Sequence, residues 1–302
     1  MRRLASGLYA RLPTERPNPR TRQIDLKDAL GLVRAINAED ARVAPAVARQ
    51  ARALACGVEM LADCLRGGGD VVFIGAGTSG RLGVLEAAEC PPTFNTEPKR
   101  IRAVMAGGAA CVFRSKEGAE DDGAAGARAA AKLRSGDCLV GIAASGVTPF
   151  VNAALRAARR RGCRTILVTS NGRPPRNPAQ LTIAVSVGPE AVTGSTRMKS
   201  GTAAKLVLNT LTTGAMVLLG KVHDHWMVDL KATNRKLRLR GERMVADLGR
   251  VPAVRARALF KACGGSVKAA VLMARRRLSA AEARSVLESH GGVLRKALET
   301  KR

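Results

Sequence analysis

Short apolar runs recur through the middle of the chain. They are DVVFIG at 70–75, IRAVMA at 101–106, DCLVGIA at 137–143, RTILVT at 164–169 and LTIAVSV at 181–187. Their length and β-branched content predict five strands. Stretches with helical spacing fill most of the gaps, at 79–89, about 110–133, 148–161 and 197–219. Apolar strands joined by helical connectors predict an α/β fold: a five-stranded parallel sheet with helices on both faces. Residues 26–67 also carry helical spacing, from Leu26, Leu30, Leu32 and Val33 to Leu61 and Leu65, and Gly67-Gly68-Gly69 stops the run. Residues 1–24 are Arg- and Pro-rich and are expected to be irregular. Strand patterns cease after about residue 225, and 230–302 read as several helices. The expected organisation is an N-terminal arm and helix (1–50), a sheet domain (51–225) and a small helical subdomain (226–302). No solenoid-type repeat is visible.

Composition narrows the class. Hydrophobic residues make up 46% of the chain and aromatics only 2%, so the core must be built from Ala, Val, Leu, Ile and Met. No apolar run approaches the ~20 residues of a membrane span, and the N-terminus has no continuous apolar core of the signal-peptide kind. A cytoplasmic location with no membrane partner is expected. The seven cysteines include no C-x-x-C pair and read as small hydrophobes in a reducing compartment. His223 and His225 lack a third ligand motif, so no metal is expected. The net charge is +27, and residues 231–302 alone hold nineteen Lys or Arg against five acids. Such a balance would suit nucleic acid, yet no reading motif and few stacking aromatics accompany it. A solvated basic surface that favours anionic substrates is the expectation.

Candidate chemistry begins at GAGTSG (75–80), a G-x-G-x-x-G pattern between strand and helix. A dinucleotide site would also need an acid at the end of the second strand, to hold the ribose. That strand reads IRAVMAGG and ends without one, while Glu97 lies in the loop before it. The dinucleotide reading therefore fails. What remains is a glycine turn at a helix N-terminus, where free N–H groups and the helix dipole converge on an anion. Gly77, Thr78, Ser79 and Gly80 suit a phosphate monoester. A second strand end, LVGIAASGVTP (139–149), supplies Ser145, Gly146 and Thr148 in the same manner. Among the carboxylates, Glu86 and Glu89 follow the first loop, and Glu117, Glu120, Asp121 and Asp122 lie in SKEGAEDDG. Glu89 and Glu120 stand out, because they attach to the phosphate loops in a chain with 24 acids against 51 bases. Pro91 and Pro92 predict that the first helix ends near Glu89.

Seven segments, in order from about residue 14 to 300, carry a family resemblance. They are TERPNPRTRQIDLKDALGLVRAINAED, GAGTSGRLGVLEAAECPPTF, EGAEDD, GIAASGVTP, TGSTRMKSGTAAKLVLN, VDLKATNRKLRLR and SHGGVLRKAL. Together they resemble the N-acetylmuramic acid 6-phosphate etherases of the sugar isomerase (SIS) superfamily. The glucokinase regulatory proteins are similar but carry two such domains. The resemblance implies an SIS-type three-layer αβα sandwich and a lyase that removes D-lactate from its sugar phosphate in peptidoglycan recycling. It implies ring opening, removal of the C2 proton, expulsion of lactate from C3 and addition of water, with no cofactor. Glu89 matches the acid that protonates the departing lactate oxygen, and Glu120 the base that takes the C2 proton. Two carboxyls can divide those roles when their pKa values differ. The chain departs from the pattern at Val147, where an Arg is common, and at Glu86 and Ala88, where Asp and Ser are common.

Ser79 and Glu89 lie ten residues apart, or roughly 15 Å on a helix. Glu89 is therefore expected to reach the site of a partner copy, making the protein a homodimer with shared sites. Ser195, Arg197 and Lys199 in TGSTRMKSG are candidate substrate contacts or helix caps, and His290 is a candidate for ring opening or a structural polar group. The alternatives on the same fold are a sugar-phosphate isomerase, which would not need Glu89, and a sugar-phosphate-sensing regulatory protein.

Overall fold

A computed structural model describes residues 12–232 and 234–300 of the 302. The irregular start expected for residues 1–24 lies, over 1–11, outside the described residues. Among the described residues five strands form: β1 (Val71–Gly75), β2 (Ile101–Met105), β3 (Cys138–Ile142), β4 (Arg164–Thr169) and β5 (Leu181–Ala184). They make one sheet in the order β2-β1-β3-β4-β5, parallel throughout. The register sets Val71 beside both Ile101 and Cys138, Cys138 beside Arg164, and Ile166 beside Leu181. Every residue of the neighbouring β1 and β3 is buried, which is why both read as apolar runs without alternation.

Among the described residues twelve α-helices accompany the sheet: α1 (Ala29–Asp40), α2 (Val43–Ala48), α3 (Ala51–Arg66), α4 (Gly77–Phe94), α5 (Gly123–Ala130), α6 (Pro149–Arg160), α7 (Lys199–Leu218), α8 (Arg235–Gly249), α9 (Ala253–Ala262), α10 (Val267–Arg276), α11 (Ala280–Ser289) and α12 (Leu294–Glu299). One sheet face, with Val72, Ile74, Leu139 and Leu167, packs on Phe150, Val151, Ala154, Leu155 and Ala158 of α6. Each fully buried Phe, Val or Leu there contributes about 1.5–3 kcal/mol. On the opposite face Gly83 of α4 lies so close to Phe73 that a Cβ would sit 2.9 Å from it. The result is the layered α/β arrangement expected from the strand and helix pattern.

Helices fill most of 26–67 as expected, in three pieces, and the first break falls where the ring of Pro45 cannot coexist with a helical carbonyl four residues earlier, at Ala41. Three expectations are corrected. The stretch near 110–133 holds a short 3-10 turn (Ala109–Val112) and then α5, which Asp122 caps through the N–H of Ala125 at 2.8 Å. Gly118, at φ +69°, breaks the run between them. The fifth strand stops at Ala184. Finally, α4 does not end near Glu89 but continues through Pro91 and Pro92 to Phe94. Each proline costs a helix interior about 3 kcal/mol, and Cys90 and Phe94 on either side of the pair are buried.

The chain divides into two compact units, residues 1–88 with 99–212 and residues 89–98 with 213–302. The first contains the sheet. The second has its own core, in which Met244, Val245, Phe260, Val271, Leu272, Ala283 and Leu287 are buried. No described helix is long and apolar enough to cross a membrane.

Candidate active site

The strand order reverses direction between β1 and β3, since β2 lies on one side of β1 and β3 on the other. In open parallel sheets, ligands bind beyond the carboxyl ends of strands at such a reversal. The two loops singled out in the sequence leave β1 and β3 there, and both line one cavity of about 260 Å³.

In the first loop Gly77 has φ +54° and opens α4 directly behind β1. The N–H groups of the first helical turn have no helical acceptor, and Gly77, Thr78 and Ser79 stand at the cavity wall. Gly80 is buried beneath them. A Cβ at Gly80 would stand 2.5 Å from the carbonyl oxygen of Gly75 and 2.4 Å from Met105 Sδ, so only glycine lets the helix start this close to the strand. Gly80 thus shapes the loop and does not line the cavity.

In the second loop Ser145 and Thr148 line the cavity with Ala143 and Ala144. Ser145 Oγ accepts from the Val147 N–H at 3.3 Å. Asn171 Nδ2 donates to the Ser145 carbonyl and Asn152 Nδ2 to the Gly146 carbonyl, both at 3.2 Å. Thr169 Oγ1 donates to the Ala144 carbonyl at 3.0 Å. Gly146 is buried at φ +76° and, like Gly80, acts on loop shape.

Glu120 and Asp121 line the same cavity. The Phe150 N–H donates to the Glu120 carbonyl oxygen at 3.0 Å, which ties this acidic turn to the first turn of α6. Arg81 pins the preceding segment by donating to the carbonyls of Val112 (2.7 Å) and Cys111 (2.9 Å). Among the described residues the lining contains no Lys or Arg. Its polar lining is neutral hydroxyl and N–H groups together with the carboxylates of Glu15, Glu120 and Asp121, despite the +27 charge of the chain.

The profile of the glucokinase regulatory protein N-terminal SIS domain matches residues 53–159, which include both loops and Glu120. The chain is 47% identical over 295 residues to an N-acetylmuramic acid 6-phosphate etherase of Gloeobacter violaceus, covering 96% of both chains. It is 50% identical over 265 residues to one of Symbiobacterium thermophilum, with 87% of this chain and 88% of that one covered. It is 47% identical over 290 residues to one of Yersinia pestis, with 95% and 98% covered.

The chain belongs to the N-acetylmuramic acid 6-phosphate etherase family.

Several candidates lie outside the cavity that this etherase-family chain builds from its two loops. Glu89 is exposed on α4, among the residues of the second compact unit. Ser195 is half-buried in a turn, and its neighbours Gly194 and Thr196 line the cavity instead. Arg197 is exposed. Lys199 does not line the cavity and is ion-paired with Glu39. Its side chain is 1% exposed and its ammonium donates to Glu39 Oε2 at 2.5 Å. His290 caps the end of α11. Its Nδ1 lies 2.8 Å from the Val286 carbonyl and its Nε2 2.7 Å from Thr300 Oγ1, so both ring nitrogens are engaged within the terminal helices.

Sequence reasoning missed Leu12, Thr14 and Glu15, which form another part of the cavity wall, and also Thr196. The only signal was the TERPNPR motif, to which no role attached. Glu39 was missed as well. It is 2% exposed and is held well below the usual carboxylate range, to about 2, first by the Arg20 hydrogen bond and then by Lys199 and Asn18, against the opposing effect of burial. Among the described residues no group of three or more His, Cys, Asp or Glu could hold a metal ion. A larger cavity, about 710 Å³, lies in the second unit between Phe260, Val228, Lys231 and Arg238 and lacks the glycine-hydroxyl cradle.

Proposed function

We propose that this chain cleaves the D-lactyl ether of N-acetylmuramic acid 6-phosphate, giving N-acetylglucosamine 6-phosphate and D-lactate. The observation that carries the reading is one cavity lined by both hydroxyl-bearing strand-end loops and by Glu120. The phosphate is held by the N–H groups of the first turn of α4 and by the hydroxyls of Thr78, Ser79, Ser145 and Thr148. The positive end of α4 adds to that attraction.

With the sugar ring open, the C1 aldehyde acidifies the C2 proton. Glu120 takes this proton, the C2–C3 double bond forms, and the C3–O bond to lactate breaks. Glu89 gives a proton to the departing lactate oxygen. Water then adds its hydroxyl at C3, and C2 regains a proton, so the sum is ether plus water to alcohol plus lactate. These steps need one proton acceptor and one donor.

The distance along α4 supports a homodimer in which Glu89 of one copy serves the cavity of the other. The lack of a cation in the described cavity lining supports the same reading, since the lactyl carboxylate then needs a counter-charge from elsewhere. All seven cysteines are unpaired thiols, which supports a reducing, cytoplasmic setting.

The test is release of D-lactate from N-acetylmuramic acid 6-phosphate, with C2 exchange in D₂O followed in the same samples. Wild type should release lactate. Glu89→Gln should retain exchange without release, and Glu120→Gln should lose both. Mixed dimers of Glu89→Gln and Ser79→Ala subunits should recover part of the activity, because one site in each would be intact. A folded wild type that binds the sugar phosphate but neither exchanges nor releases lactate would overturn the reading.

A further inference from the structure

We propose that Glu15 is a further substrate-binding residue, whose carboxylate accepts a hydrogen bond from a sugar hydroxyl or from the acetamido N–H. The inference rests on the sugar-phosphate reading of the same cavity and adds a recognition element from the N-terminal arm.

Glu15 ends a single 3-10 turn, Pro13–Glu15, beside the cavity. Thr14 Oγ1 donates to Glu15 Oε1 at 3.0 Å, while Oε2 has no partner among the described residues. Opposite Oε2 stands Gly194, where even an added Cβ would lie 3.5 Å away, so the glycine leaves the oxygen room.

The arm is held in place before any ligand arrives. The Gly194 N–H donates to the Thr14 carbonyl at 3.2 Å. Thr21 Oγ1 donates to the Ala191 carbonyl at 2.9 Å, and Asn18 Nδ2 to the Pro189 carbonyl at 3.1 Å. The backbone of the arm is thus fixed, and only the exposed Glu15 side chain has still to be ordered when a ligand binds.

Charge decides what Glu15 can bind. An ionised carboxylate accepts hydrogen bonds and donates none. It repels the phosphate and the lactyl carboxylate of the substrate, so it fits only beside the neutral donors of the sugar. Glu120 and Asp121 stand together on one turn of the lining, and Glu15 enters it from the N-terminal arm, so it can meet a different set of sugar hydroxyls or the acetamido N–H. The cavity then divides its labour: hydroxyl and N–H donors for the phosphate, a carboxylate acceptor for the sugar.

The experiment is calorimetric titration of N-acetylglucosamine 6-phosphate and, separately, of inorganic phosphate, into wild type, Glu15→Ala and Glu15→Asp, with lactate release measured alongside. A hydrogen bond to a charged acceptor predicts about 10- to 150-fold weaker binding of the sugar phosphate by Glu15→Ala. Glu15→Asp should recover part of it, and inorganic phosphate should bind all three proteins alike. Unchanged sugar-phosphate affinity in Glu15→Ala would overturn the proposal, as would a parallel loss of inorganic phosphate binding, which marks a structural role. A wild type that binds the sugar phosphate but releases no lactate would instead count against the etherase reaction and leave the Glu15 comparison intact.

Discussion

Replacing Glu39 with Gln tests how the N-terminal arm is secured. Glu39 Oε2 accepts from Asn18 Nδ2 at 2.8 Å, from Lys199 Nζ at 2.5 Å and from Arg20 Nη2 at 3.0 Å, and Arg20 Nε donates to Oε1. Both Glu39 and Lys199 are almost fully buried. The Glu39 pKa falls from an ordinary 4.5 to about 2, which corresponds to about 3 kcal/mol of stability at neutral pH. Because folding lowers this pKa, the contribution is complete above about pH 4.5 and is lost as pH falls towards 2. Glu39→Gln leaves the Lys199 ammonium buried without its counter-charge, and removing one partner of such a pair costs about 3–5 kcal/mol. Urea unfolding at pH 7 and at several acid values should show that loss at pH 7 and a narrowing gap below about pH 4.5. Adding Lys199→Met should return part of the stability, since the stranded charge is then gone. A loss below about 1 kcal/mol at pH 7, or parallel pH profiles for the two proteins, would refute the argument.

Two further substitutions probe other parts of the molecule. Gly146→Ala forces a side chain into φ +76° and sets its Cβ 3.1 Å from Thr169 Oγ1; thermal melts should show a loss of about 1–3 kcal/mol and lactate release a raised KM, and an unchanged KM would remove Gly146 from the shaping of the loop. In the second unit Lys268 donates to Asp229 Oδ2 and to the Gly292 carbonyl, both at 2.8 Å, and burial pushes its pKa down while Asp229 opposes that. Asp229→Asn should cost about 3–5 kcal/mol at pH 7 in urea unfolding. The cost should shrink at high pH, where Lys268 can fold uncharged, and a pH-independent loss would contradict the charge argument.

What the sequence determined by itself is local. The neighbouring strands β1 and β3 were legible because a strand buried on both faces must be apolar along its length, as Val71–Gly75 and Cys138–Ile142 are. The two glycine-hydroxyl loops that line the cavity were legible because a tight strand-to-helix turn demands glycine. Helix ends were less so. Pro91 and Pro92 signal a stop, yet α4 runs on through both to the buried Phe94. Tertiary structure alone decided the partners. Lys199 reads as a free cation near a glycine turn until Glu39, 160 residues earlier, takes its charge. Thr14 and Glu15 enter the cavity wall because a backbone hydrogen bond joins Thr14 to Gly194. Likewise, the assignment of residues 89–98 to the unit of the C-terminal helices follows from packing. Periodicity and turn chemistry act within a few residues and leave a mark on the sequence. Burial and ion pairing join residues far apart in the chain, and become visible only once it has folded.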